Sequence, residues 1–155
     1  MARYRTTITS PLSVAEAFDY LSDFATIEQW DPGVAAAELI DGEAAQVGAR
    51  YRVDTVLLGR VTPLEYRIVV RVESPDGTRR FDLRAENNDF VSYDVITVAP
   101  VGAGCDVTYD ADLALKGPRR LFDPGLWLLF QVIGRRAEAG LRTALNPATD
   151  DAVSA

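Results

Sequence analysis

The sequence of 155 residues predicts one α+β domain, a seven-stranded antiparallel sheet with two short helices and a long C-terminal helix. Seven segments alternate apolar and polar residues with the period of a β-strand. Short turn signals separate the last six of these segments, which favours antiparallel pairing between neighbours. A long apolar stretch with a helix start and a helix stop follows them.

The N-terminal region predicts one strand and two short helices. Residues 3–9 alternate in character and are predicted as the first strand. Ser13 precedes Glu16 by the spacing of a capping box, and an apolar stripe follows, so a helix is predicted over residues 13–21. A second short helix is predicted to end at residues 30–33, where a Pro-Gly pair stops it.

The central region predicts six further strands. They are placed at residues 34–40, 49–56, 64–73, 79–87, 90–98 and 105–115.

Charge predicts the register between residues 64–73 and 79–87. A four-residue loop places opposite charges across the outer face, whereas a two-residue loop places arginines opposite each other. The predicted outer pairs are Glu73 with Arg80, Arg71 with Asp82, and Arg67 with Glu86. The predicted inner pairs are Val72 with Phe81, Val70 with Leu83, Ile68 with Ala85, and Tyr66 with Asn87.

The last helix is predicted to start with Asp123 as its N-cap and Pro124 as its first residue, and to end near Leu145. Its first half is apolar nearly all round, so the sheet and some further element must cover it. The domain is therefore expected to span residues 1–146, and the polar segment 147–155 is expected to be a disordered tail.

Composition excludes several classes of function. The net charge of −7 disfavours nucleic acid and anionic membranes as partners. The absence of histidine removes the usual catalytic triads and most zinc sites, so no metal and no cofactor are expected. The single cysteine, Cys105, allows no internal disulfide, and the sequence shows no signal peptide and no membrane-spanning run. We therefore expect a cytoplasmic protein. Its expected oligomeric state is a monomer or a homodimer.

Four segments carry a resemblance to a known family. They are the opening ITSPLSVAEAF at 8–18, QWDPG at 29–33, VAPVGAG at 98–104 with the strand that follows it, and the closing helix. With the predicted element order, the chain resembles the START-like (SRPBCC) superfamily, in its polyketide cyclase/dehydrase and lipid-transport branch. This resemblance implies a helix-grip fold, in which a curved sheet wraps around the last helix and leaves an elongated, mostly apolar cavity.

Residues on the expected inner face are the candidates to line such a cavity. They are Trp30, Tyr51, Val53, Thr55, Tyr66, Ile68, Phe81, Leu83, Asn87, Asp94, Tyr109, Phe130 and Gly134. Each also has a structural interpretation, because an inward tyrosine or tryptophan is commonly a core residue with a tethered polar atom.

Asp94 and Tyr66 are the candidate catalytic residues. If the even-numbered residues of 90–98 point inward, Asp94 is a carboxylate in an apolar cavity, with a raised pKa suited to general acid or base chemistry. If the odd-numbered residues point inward, Asp94 is solvated.

Two further features have alternative interpretations. Gly134 and Gly140 lie inside the long helix, either to allow close packing against a bulky neighbour or, at Gly134, to leave room for a ligand. The apolar pairs 57–58 and 126–127 are candidates for the lip of a cavity mouth, a dimer contact or a partner surface.

Three functions are compatible with these features. The first is binding, transport or sequestration of a small hydrophobic molecule such as a lipid, isoprenoid or polyketide. The second is a polyketide aromatase/cyclase or dehydratase that uses tyrosine and aspartate groups of the cavity. The third is a protein-interaction module that uses the apolar lip.

Overall fold

The structure, a computed structural model, describes residues 2–57, 59–118 and 123–147. The strands are β1 (Ala2–Ser10), β2 (Val34–Asp41), β3 (Arg50–Leu57), β4 (Arg60–Glu73), β5 (Arg79–Glu86), β6 (Phe90–Val101) and β7 (Gly104–Leu115). The helices are α1 (Val14–Ser22), α2 (Ile27–Trp30) and α3 (Asp123–Leu145), with a 3-10 turn at Phe24–Thr26. The predicted fold class and element order are confirmed.

One antiparallel sheet contains all seven strands. Their order is β1-β7-β6-β5-β4-β3-β2, so β1 and β2 form its two edges. Consecutive strands from β2 to β7 are neighbours, and a long connection joins β1 to β2 through α1 and α2. The sheet curves, and α1, α2 and α3 lie on its concave side as in a helix-grip fold.

The capping box predicted from residues 13 and 16 begins α1. The Ser13 hydroxyl accepts a hydrogen bond of 3.1 Å from the Glu16 amide, and the Glu16 carboxylate accepts one of 2.8 Å from the Ser13 amide. These bonds satisfy two backbone donors that the first turn leaves free. The helix then buries Ala17, Phe18 and Leu21 against the sheet.

The predicted register between β4 and β5 is wrong. Glu73 lies opposite Arg79, and Arg67 lies opposite Arg84, which is the like-charged pairing that the charge pattern disfavours. The turn sets this register: the Gly77 amide donates to the Ser74 carbonyl and the Ser74 amide to the Thr78 carbonyl. Gly77 has φ +88°, so a three-residue loop with a left-handed glycine joins the strands. Arg67 and Arg84 are exposed, where water screens their repulsion.

A β-bulge at Val69 changes which side chains of the second half of β4 point to the inner face. Before it, Ile68 pairs with Leu83 on the inner face; after it, Arg71 pairs with Phe81. Arg71 therefore reaches the concave side, where its guanidinium lies 4.7 Å from the centre of the Phe18 ring.

None of the three predicted outer ion pairs forms. Asp82 instead accepts two hydrogen bonds of 2.6 Å from Arg80 on its own strand. Glu73 pairs with Arg79, and Glu86 pairs with Arg84 and Lys116.

The long helix α3 lies closest to β1 and α2. At Gly140 an added Cβ would lie 1.7 Å from the Trp30 carbonyl oxygen, and at Gly134 it would lie 2.5 Å from the ring of Tyr4. The Ser10 hydroxyl also donates to the Leu145 carbonyl at 2.5 Å. Both glycines therefore serve close packing, and the ring of Tyr4 occupies the space that Gly134 leaves.

Some predictions fall on residues that the structure does not describe. They concern Leu58 at the β3–β4 hairpin and the part of the expected tail beyond Pro147. Within the described ranges, no helix is long and apolar enough to cross a membrane.

Replacing Gly140 by alanine is expected to destabilise the protein by about 1–3 kcal/mol, because the new methyl group would force α3 away from the Trp30 backbone. Gly125 is the matched control, since it lies in the same helix and its added Cβ meets nothing within 4 Å. Gly125→Ala is expected to be neutral or to stabilise by up to about 1 kcal/mol. Denaturant unfolding measures both; equal free energies of unfolding for the two variants would contradict this packing.

Candidate ligand-binding cavity

A cavity of about 450 Å³ lies between α3 and the concave face of the sheet. The strands β1, β2, β3, β4, β6 and β7 form its floor and sides, and α2 and α3 cover it. The inward residues of β6 and β7 supply the floor because side chains alternate between the two faces of a strand.

Apolar side chains make up most of the lining. They are Ile27, Val34, Val53, Leu64, Phe90, Ala111, Leu113, Leu115, Leu129, Phe130, Ile133, Ala137 and Leu141. The polar or amphipathic members are Tyr4, Thr6, Trp30, Asp31, Thr55, Tyr66, Ser92, Asp94, Tyr109 and Glu138, and Gly134 completes the set.

The charged groups in this lining all have one sign. Asp31, Asp94 and Glu138 are carboxylates, and the lining residues that the structure describes include no arginine and no lysine. The charge of Glu138 is neutralised by an ion pair with Arg142 at 3.0 Å, and its carboxylate also accepts a hydrogen bond from the Tyr4 hydroxyl. The two aspartates have no such cationic partner among the described ion pairs.

Asp94 lies on the inner face of β6 and is 3% exposed. The even-numbered residues of β6 therefore point inward, and Ser92, Ile96 and Val98 are buried on the same face as Asp94. The Ser92 hydroxyl donates to Oδ1 at 2.8 Å, and the Tyr109 hydroxyl donates to Oδ2 at 2.6 Å. Burial raises the pKa of Asp94 to about 6, against the opposing effect of these two hydrogen bonds.

Tyr66 and Tyr109 flank the Asp94 carboxylate. Burial raises the pKa of both phenols, and the negative charge of Asp94 raises them further. Each phenol therefore stays protonated at neutral pH. Tyr66 lies opposite Ala85 rather than Asn87, one consequence of the corrected β4–β5 register.

Asp31 and Trp30 lie at the end of α2, on the side of the cavity facing α3. Asp31 Oδ1 accepts a hydrogen bond of 2.8 Å from the Gly33 amide. Burial raises the pKa of the Asp31 carboxyl. The Trp30 ring packs edge-on against Tyr109, with 6.0 Å between ring centres. Its indole Nε1 is buried without a hydrogen-bond partner.

Eight of the thirteen predicted ligand-binding residues line this cavity. They are Trp30, Val53, Thr55, Tyr66, Asp94, Tyr109, Phe130 and Gly134.

The other five lie elsewhere, four of them in a closed core covered by α1 and the 3-10 turn. These are Tyr51, Ile68, Phe81 and Leu83, each 0% exposed. The Phe18 ring of α1 packs edge-on against Phe81 at 5.5 Å and fills that part of the concave face. The fifth, Asn87, belongs to the β5–β6 turn, where its side-chain oxygen accepts hydrogen bonds from the Asp89 and Phe90 amides.

Sequence reasoning missed the contribution of β1 and of the residues after α2. Tyr4 and Thr6 share the inward parity of β1, so the alternation of residues 3–9 contained a usable signal. Nothing local marks Asp31, since an aspartate before Pro-Gly is an ordinary turn residue. Ser92 shares the parity of Asp94 on β6, so it faces the cavity together with Asp94.

The predicted apolar lip does not form part of the cavity where the structure describes it. Trp127 on α3 is 52% exposed and does not line the cavity. The pair 57–58 includes Leu58, outside the described residues, and the side chains of Leu57 and Leu126 are likewise not described.

The raised pKa predicts a specific pH dependence of stability. Between the ordinary aspartate value of 3.8 and about 6, the folded protein binds the Asp94 proton more tightly than the unfolded chain does. The contribution of this group to the free energy of unfolding therefore falls as the pH rises through that window, by about 3 kcal/mol, and then stays constant. Asp94→Asn cannot ionise and should lack this fall.

Denaturant unfolding between about pH 4 and pH 7 measures the difference between Asp94→Asn and the parent protein. That difference should shift in favour of the variant as the pH rises. Asp106→Asn removes a carboxylate from the outward face of β7, where the Thr9 hydroxyl donates to it at 2.7 Å, and serves as the control. A pH-independent difference for Asp94→Asn would show that its carboxylate is not desolvated.

Comparisons with known proteins agree with this architecture. A START superfamily protein from Mycobacterium smegmatis superposes with a TM-score of 0.75 at 15% identity, over 94% of this chain and 97% of that one. A STAR-related lipid transfer protein from Xanthomonas axonopodis gives 0.71 at 18% identity, over 92% and 85%. The Zhui aromatase/cyclase from a Streptomyces species gives 0.68 at 10% identity, over 92% and 90%.

These identities are low, so the likenesses to solved structures show the fold. No match to this chain was found among curated protein sequences. The family model described as polyketide cyclase / dehydrase and lipid transport matches residues 1–145, nearly the whole chain. The chain therefore belongs to this polyketide cyclase / dehydrase and lipid transport family.

Proposed function

We propose that the protein binds a small hydrophobic molecule in the cavity under α3 and carries or sequesters it. The observation behind this proposal is the cavity itself, about 450 Å³ with a predominantly apolar lining. Pockets for small molecules commonly measure about 300–1,000 Å³ and combine apolar walls with a few polar groups. Burial of the ligand's apolar surface would supply most of the binding free energy, at about 25 cal/mol per Å².

Several large side chains that could have filled this space lie elsewhere. Tyr51 packs in the closed core, and Trp127 points away from the cavity with half of its surface exposed. Tyr66 and Tyr109 reach the lining but leave space above them. These placements support a binding role, because an empty apolar space costs stability unless a ligand occupies it.

Asp94 supports a second candidate function, an enzyme acting on a carbonyl compound. A carboxyl group with a pKa of about 6 is near the optimum for transferring protons at neutral pH. As a base, its carboxylate would remove a proton from a carbon next to a carbonyl group, while a protonated phenol beside it donates a hydrogen bond to the developing enolate. Tyr66 is the phenol available for this, since the Tyr109 hydroxyl already donates to Asp94.

Binding of the uncharged fluorescent dye Nile red tests the first function. The parent protein should bind one dye molecule, with the fluorescence increase of an apolar environment. Ala137→Trp places a large ring into the cavity and should weaken binding at least tenfold. Ala139→Trp is the matched control, since Ala139 is exposed on the same helix and should tolerate the change without loss of affinity.

Circular dichroism verifies that both tryptophan variants keep their secondary structure. Equal dye affinity for the two variants would mean that the dye binds outside the cavity. Failure of the parent protein to bind any apolar dye would contradict the proposed function.

Exchange of the α-hydrogens of methyl 3-oxodecanoate with D₂O, followed by proton NMR, tests the enzymatic candidate. If Asp94 acts as a base, the parent protein accelerates exchange above the rate with Asp94→Asn by at least about a hundredfold, a typical minimum for general-base catalysis. Tyr66→Phe should lose part of that acceleration. Equal exchange rates for the parent protein and Asp94→Asn would exclude this role and leave the binding function.

A further inference from the structure

We infer that the ligand of this cavity is an uncharged apolar molecule with a hydroxyl group, bound at the wall formed by Asp94, Tyr109, Trp30 and Asp31, and that ligands with a carboxylate head are rejected. This inference rests on the proposed binding function and specifies the chemical class of its ligand.

The Asp94 end of the cavity presents hydrogen-bond acceptors. Two hydroxyl groups, those of Ser92 and Tyr109, donate to the Asp94 carboxylate. Each hydroxyl has only one hydrogen to donate, so what they still offer a ligand is oxygen lone pairs. The carboxylate oxygens themselves only accept while Asp94 is ionised. A ligand group that meets the carboxylate itself must therefore donate, and the Tyr66 hydroxyl beside it can donate to the same group in return.

The same wall repels negative charge. Asp31 and Asp94 both line the cavity, and each raises the pKa of the Tyr109 phenol through its negative charge, which indicates that both fields reach this point. The third carboxylate, Glu138, is already paired with Arg142. A ligand carboxylate would lose its hydration without meeting a cation among the described lining residues.

One donor on this wall lacks an acceptor. Trp30 is only 3% exposed, and its indole Nε1 is buried without a hydrogen-bond partner. Its ring contacts Tyr109, the residue whose hydroxyl donates to Asp94. Buried polar groups normally have a partner, and a ligand oxygen that reached the Trp30 indole would supply it.

A hydroxyl group matches both requirements. It donates one hydrogen bond, which the Asp94 carboxylate can accept, and its oxygen accepts one, which Tyr66 or Trp30 can donate. An ether oxygen can only accept, and a carboxylate accepts while also adding charge. Neither of these alternatives provides the donor that the Asp94 end requires.

Three ligands with the same ten-carbon tail test the inference on the full chain: 1-decanol, its methyl ether 1-methoxydecane, and decanoate. Their affinities are measured by displacement of Nile red near pH 7.5, where Asp94 is ionised. Decanol should bind about tenfold more tightly than the ether and more than tenfold more tightly than decanoate, because hydrogen bonds to charged groups are the stronger ones. Decanoate or ether binding as tightly as decanol would overturn the inference.

Asp94→Asn locates the source of the discrimination. The amide removes the negative charge and releases the Tyr109 hydroxyl from its bond to a carboxylate, so the ratio of decanol to decanoate affinity should fall about tenfold. Asp106→Asn removes the same charge from the outward face of β7 and should leave the ratio unchanged. An unchanged ratio in Asp94→Asn would overturn the assignment to this wall.

The two levels of the account fail in different ways. If neither Nile red nor any of the three ligands binds, the proposed function is overturned and the inference with it. If the dye binds in the cavity but the ligands follow another order of affinity, only the hydroxyl specificity is overturned. Circular dichroism of Asp94→Asn separates a loss of folding from a change of specificity.

Discussion

The cavity depends on how α3 is held above the sheet. Its C-terminal part lies so close to the Trp30 carbonyl that Gly140 has no room for a Cβ, and its middle rests on the ring of Tyr4 at Gly134. Its last turn is fixed to β1 by the bond from Ser10 to the Leu145 carbonyl. These contacts are with α2 and the edge strand β1, so the helix spans β6 and β7 without filling the space over them. Interiors are normally close-packed, and a helix held in this way is what maintains the opening.

The concave face of the sheet is thereby divided into a closed half and a hollow half. Under α1 and the 3-10 turn, the ring contacts of Phe18 with Phe81 and of Phe24 with the fully buried Tyr51 make an ordinary core. Under α3, Asp94 and its hydroxyl partners lie among apolar side chains, an arrangement that raises the pKa of the carboxyl and reduces stability at neutral pH. Polar groups in such positions are expected where a protein binds or transforms a ligand rather than where it only folds.

Local signals in the sequence predicted the fold well, and long-range geometry limited the prediction of the site. The capping box of α1 and the strand alternation were read correctly because each depends on neighbours within a few residues. The register of β4 and β5 was wrong because the left-handed Gly77 and the bulge at Val69 outweighed a favourable charge pattern. Alternation predicted that Tyr109 faces the concave side and left both orientations of Asp94 open. It could not tell cavity residues from core residues such as Phe81 and Leu83, since the positions of the helices separate core from cavity.

A crystal structure determined under xenon pressure is the most direct test of this account, because xenon occupies apolar cavities whatever their natural ligand. The account predicts xenon, or density for a molecule retained from the expression host, between α3 and the strands β6 and β7, next to Ala111 and Ile133. The closed core under α1 should remain free of xenon. A structure in which α3 packs directly onto β6 and β7, with neither xenon nor a retained molecule between them, would contradict the central claim.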